Sequence, residues 1–106
     1  MGLGLAHLLK EKRKPIAELC ARRGVARLDA FGSALREDFS PDTSDLDLLV
    51  EFQPMQPYER VEAYFGLLDD LRGMFGREID LVMVGAVKNR YVAQNIQRTK
   101  QPLYAA

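Results

Sequence analysis

The sequence predicts a small α/β domain of two layers, a three-stranded sheet with helices on one side. Alternation is the first observation: period-two stretches, the mark of strands, trade places along the chain with apolar spacings of three and four, the mark of helices. Length is the second. A chain of 106 residues suits a single domain, residues 1–106, with room for one hydrophobic core and no need of disulfides. Composition is the third: 47% apolar and 28% charged residues are ordinary for a folded globular chain and argue against disorder.

Each element has its own warrant. Leu3 to Lys14 reads as a weak helix with Leu5, Leu8 and Leu9 on one side. A second helix runs from Pro15 to Arg23, with proline in the first turn, Ile16, Leu19 and Cys20 as its stripe, and Gly24 as its cap. Val25 to Phe31 alternates as a strand and ends in Gly32-Ser33. Ala34 to Glu37 fits one short helical turn, and Phe39 to Ser44 is a loop by composition. Asp45 to Phe52 is the strongest strand pattern. Pro54 and Pro57 then open a helix carrying Val61, Tyr64, Phe65, Leu68, Leu71 and Phe75, ended by Gly73 and Gly76. Glu78 to Val84 is a further strand. Val87 to Lys100 is a final helix with Val87, Tyr91, Val92 and Ile96 as its buried side, and Pro102 stops it before a short apolar tail.

Several function classes are disfavoured at once. The 15 basic and 15 acidic residues cancel, so no basic excess marks a dedicated nucleic-acid binder. Cys20 is the only cysteine and His7 the only histidine, which leaves no disulfide and no cysteine or histidine metal cluster. Cys20 is expected to be a buried core thiol. The N-terminal apolar stretch precedes its positive charges, the reverse of a secretory signal, and no run is long enough to cross a membrane. A cytoplasmic protein is the expectation.

The segment that carries chemistry is Gly32 to Phe52. Asp45 and Asp47 stand two apart in a strand, so both carboxylates project from one face while Leu46, Leu48 and Val50 face the core. Two such charges repel unless a cation lies between them. Hard oxygen donors on a rigid strand suit Mg²⁺. Asp80 sits between Ile79 and Leu81, an acid in an apolar strand that costs free energy unless paired or metal-bound. If its strand lies beside the Asp45–Asp47 strand, three carboxylates meet, enough for two metal ions. Glycine at Gly32 lets backbone approach a phosphate closely, and the Ser33 hydroxyl adds a donor. Taken singly, each feature has a plainer explanation: a turn, a solvated loop edge, an ion pair of Asp80 with Arg77 or Arg90. Their combination in this order is what points to a site.

Gly32-Ser33, eleven residues, Asp45-Leu46-Asp47 and then Asp80-Leu81-Val82 on a later strand resemble the DNA polymerase β-type nucleotidyltransferase superfamily. More narrowly, the chain looks like the minimal nucleotidyltransferases, and the likeness runs over nearly its whole length, to Pro102-Leu103-Tyr104. The resemblance implies a three- to four-stranded mixed sheet with helices packed on one face. It implies Gly32, Ser33 and Arg36 as nucleotide-binding residues. It implies Asp45, Asp47 and Asp80 as ligands of two Mg²⁺ ions, with Asp80 also helping to deprotonate the acceptor, and ATP as donor. It further implies a HEPN-domain toxin as partner, silenced by AMP transfer to a tyrosine. There are departures: Ala34, Leu35 and Glu37 stand where relatives often carry arginine, alanine and glycine, and the loop before Asp45 is one residue longer. These bear on catalytic rate and nucleotide choice. Two other readings stay open, a non-catalytic antitoxin that neutralises by contact and a small-molecule nucleotidyltransferase. Either a hetero-oligomer or a homo-oligomer is compatible with the sequence. Self-modification of Tyr58, Tyr64, Tyr91 or Tyr104 competes with simple packing of Tyr64 and Tyr91 on apolar helix faces.

Overall fold

A computed structural model of the chain describes residues 3–32, 46–86 and 88–106, with side chains from Lys10 onward. The elements run α1 (Leu3–Arg22), β1 (Val25–Phe31), β2 (Leu46–Phe52), α2 (Pro57–Phe75), β3 (Ile79–Met83), α3 (Arg90–Thr99) and β4 (Gln101–Ala105). The expected turn at Ala34–Glu37, the loop at Phe39–Ser44, Val87 and the side chains of Leu5, His7, Leu8 and Leu9 lie outside the described residues.

The architecture is α+β, as the sequence predicts. Among the described residues four strands form one mixed sheet in the order β3-β2-β1-β4. β1 runs antiparallel to β2 and β4, while β2 runs parallel to β3. One face of the sheet presents Val25, Leu28, Ala30, Leu46, Leu48, Val50, Ile79 and Leu81 to Ile16, Leu19 and Cys20 of α1 and Leu67 and Leu71 of α2. β2 and β3 supply alternate residues to this layer, and β1 does so from Leu28 onward, a register shift between Val25 and Arg27 letting Val25 join the same face. Tyr64 secures α2 to the edge strand by donating its hydroxyl proton to the Leu81 carbonyl at 2.6 Å. Arg23 ties the end of α1 to α2 through Asp70 at 2.8 Å.

The structure departs from expectation in all three helices and at the C-terminal tail. The two N-terminal helices are one, because α1 continues through Pro15. Proline lacks one backbone donor, and the docking of Ile16, Leu19 and Cys20 immediately after it offsets that loss. The C-terminal tail is not a tail but β4, an edge strand, where a proline such as Pro102 is tolerated. Finally, α3 begins at Arg90, behind an Asn89 cap whose side chain accepts from Tyr91 N at 3.0 Å and Val92 N at 3.1 Å. Tyr91 and Val92 are exposed rather than buried, and Ile96 is the buried residue of this helix. Val61 and Phe65 of α2 are exposed too, so the inward stripe of that helix is narrower than its apolar sequence suggests.

Cys20 is fully buried, and burial pushes its thiol pKa up to about 12 because the thiolate would lose its hydration. A pKa raised by folding means the associated stability is present below the unfolded value, about 8.5, and is lost as pH rises through the folded one. The native protein should therefore react slowly with a thiol reagent at about pH 8 and fast once denatured. Its denaturation midpoint should fall above about pH 9, with a shallower fall in Cys20→Ala.

Candidate active site

Leu46, Leu48 and Val50 go down into the core, so Asp47 between them must point to the opposite face. The register then decides what it meets. Asp47 pairs with Phe31 on β1 and with Asp80 on β3. Residues paired across neighbouring strands lie on one face, about 4.8 Å apart between strands. The carboxylates of Asp47 and Asp80 therefore rise side by side, Asp47 half-buried and Asp80 exposed on the edge strand.

Gly32 closes the third side. It has φ of +60°, a conformation natural to glycine. A Cβ placed there would stand 2.7 Å from Asp47 Oδ2. The strand end thus presses bare backbone against the carboxylate, leaving no room for a side chain. Both conformation and contact demand glycine at this position.

Asp45, Ser33 and Arg36, the remaining expected site residues, lie outside the described residues. Among the described residues no group of three metal-ligating side chains is close enough to hold an ion. Asp47 and Asp80 supply two carboxylates on adjacent strands, and hard oxygen donors of this kind fit Mg²⁺ with room for phosphate oxygens. The bare Gly32 backbone beside them fits a phosphate as well.

A further acid, Asp29, lies on this face. Asp29 lies between the core residues Leu28 and Ala30 and so points to the side of Asp47. Its side chain is 2% exposed, with Lys100 Nζ 3.5 Å from Oδ2 and Arg27 Nη2 3.8 Å from Oδ1. The signal was available, since Asp29 sits between two apolar strand residues just as Asp80 does. Its partner Lys100 is remote in sequence and could be found only once β4 was placed beside β1.

Comparison with known proteins bears on this geometry. Residues 12–103 match the nucleotidyltransferase domain family. A protein of Methanocaldococcus jannaschii provisionally named a protein adenylyltransferase is 33% identical over 90 residues, 85% of each chain. A solved structure provisionally described as a minimal nucleotidyltransferase superposes with a TM-score of 0.71 at 31% identity, covering 89% of this chain and 91% of its own.

Gly32→Ala tests the close approach. The substitution should cost about 1–2 kcal/mol for the left-handed backbone alone, and more for the collision with Asp47. A thermal melt reads the loss. Substitution of Gly73, where an added Cβ meets nothing within 4 Å, serves as the control and should leave the melting temperature unchanged or raised.

Proposed function

Because the chain belongs to the nucleotidyltransferase domain family, we propose that it is a Mg²⁺-dependent enzyme that transfers AMP from ATP to a tyrosine hydroxyl of a partner protein, and that it thereby acts as the antitoxin of a HEPN-type toxin. The observation that carries the proposal is the placement of Asp47 directly beside Asp80 with Gly32 packed against it. The name of the archaeal relative, a protein adenylyltransferase, supports AMP as the group transferred and protein as the acceptor.

The residues divide the work. Gly32 offers bare backbone to the phosphates, with Ser33 and Arg36 assigned beside it by resemblance. Asp47 and Asp80, together with Asp45, hold Mg²⁺. When bound, the metal would supply positive charge at the phosphates and favour loss of the acceptor's proton. Asp80 takes the proton of the acceptor hydroxyl. The hydroxyl oxygen forms a bond to the α-phosphorus, the bond from that phosphorus to the bridging oxygen breaks, and pyrophosphate leaves with the electron pair. Asp80 is the exposed member of the pair and so the one an incoming acceptor meets first.

A protein acceptor needs a docking surface. Tyr58, Val61 and Phe65 are 70%, 55% and 62% exposed and follow one another along one stripe of α2. Exposed apolar stripes of this kind mark interaction sites. The same stripe favours a second reading, an antitoxin that works by contact alone, and the Ala34 and Glu37 departures lean the same way.

The test is transfer of label from α-labelled ATP to the purified partner. Wild type should label it, and Asp47→Asn should lower the rate by about a hundredfold or more. An absence of label on the cognate toxin, with the enzyme folded, sinks the proposal. Asp45→Asn/Asp47→Asn separates the two readings: if it still neutralises the toxin in full, contact is sufficient and chemistry is not needed.

A further inference from the structure

Positive charge near the carboxylates is scarce in sequence. After Gly32-Ser33 come one cation, Arg36, and two acids, Glu37 and Asp38. A triphosphate brings several negative charges, and backbone donors together with metal do not usually hold it without basic side chains. The fold brings cations from elsewhere. Lys88 to Lys100 holds four, Lys88, Arg90, Arg98 and Lys100, with no acid among them.

Of these four, Lys100 lies at the site end of the sheet. β4 pairs Gln101 with Ala30, so Lys100, one residue earlier, comes level with Phe31. Phe31 pairs with Asp47, and Asp47 with Asp80. Lys100 thus ends a single row across the sheet: Asp80, Asp47, Phe31, Lys100. Its ammonium group is on the carboxylate face, because it meets Asp29 there at 3.5 Å.

The pair is uneven. Asp29 is 2% exposed, whereas the Lys100 side chain is 13% exposed and keeps a path to solvent. Asp29 Oδ1 has no hydrogen-bond partner among the described residues. Both ion-pair separations, 3.5 Å and 3.8 Å, exceed the 2.7–2.9 Å typical of a closed charge-assisted hydrogen bond. An ammonium group has three donors, and Asp29 engages at most one or two of them. The buried carboxylate can therefore fix the lysine in place without exhausting it.

We infer that Lys100 is a ligand of the nucleotide's β- and γ-phosphates and that Asp29 is the positioning residue that holds it ready. This rests on the reading of the chain as an ATP-using nucleotidyltransferase. Asp29 places a negative charge 3.5 Å from the largely buried Lys100 ammonium before nucleotide arrives. It also restricts a flexible side chain in advance, which lowers the entropy lost on binding.

The experiment is calorimetry of ATP and of AMP, each with Mg²⁺, on the full chain. The variants are Lys100→Gln, Lys100→Arg, Asp29→Asn/Lys100→Gln and Asp47→Asn, with a thermal melt on each. Lys100→Gln leaves Asp29 buried without its lysine and is expected to melt lower. The double variant removes both charges and keeps the fold. It should bind ATP about tenfold more weakly than wild type while AMP binding is unchanged. Lys100→Arg should retain most of the ATP affinity, and the salt dependence of ATP binding should be shallower in the double variant. A double variant that binds ATP as wild type does, or that loses ATP and AMP equally, overturns the inference and leaves a structural ion pair. If wild type binds ATP in a manner abolished by Asp47→Asn and only the Lys100 arm fails, the nucleotidyltransferase reading stands. If folded wild type binds no ATP, both fall.

Discussion

The hydrophobic commitment of β2 is the constraint on which the site depends. Leu46, Leu48 and Val50 are each at most 1% exposed, and burying three aliphatic side chains is worth several kcal/mol, about 1.5–3 each. A slip of one residue would turn all three to the other face and bring Asp47 into the core. The same layer includes Ile79 and Leu81, which lock β3 in parallel register with β2. Asp47 and Asp80 are adjacent because their neighbours must be buried. The carboxylates repel one another, and the core beneath them keeps them in place without their consent to the arrangement.

That division of labour explains how a small domain can carry a costly face. One side of the sheet is filled by α1 and α2 and supplies the stability. The other side carries Asp29, Asp47 and Asp80, with Leu49 and Ile96 buried outside the main cluster. Gly32 belongs to both economies, since its left-handed turn ends β1 and its missing Cβ gives Asp47 Oδ2 its space. Substitutions on the core face are expected to act through folding, whereas those on the carboxylate face act on binding and chemistry, and Gly32 acts on both.

Much of this was legible in the sequence because alternation translates directly into faces. Leu46-Asp47-Leu48 and Ile79-Asp80-Leu81 each announce an acid opposite a buried pair, while their adjacency, only a condition in the sequence, comes from the parallel pairing of β2 with β3. What stayed hidden depends on distant partners. Pro15 reads as a helix start, and only the packing of α1 shows that the helix runs through it. Pro102 reads as a stop, and only the free edge of β1 shows that a strand can form there. The exposure of Val61, Phe65, Tyr91 and Val92 cannot be read from periodicity, because an apolar stripe looks the same whether the chain's own core covers it or it faces outward. The role of Asp29 is not legible locally, because it lies in Lys100, which no local pattern connects to it.

The central claim is that Asp47, Asp80 and Gly32 form one site for a divalent ion and a nucleotide. Paramagnetic Mn²⁺ in place of Mg²⁺, titrated with ATP into isotopically labelled protein, tests it most directly through line broadening of backbone amide signals. The account predicts that Gly32, Asp47 and Asp80 broaden first and together, and that Asp47→Asn abolishes the effect. Broadening centred instead on the surface acids of α2, such as Glu59, Glu62 and Asp69, or no localised broadening with nucleotide present, would contradict it.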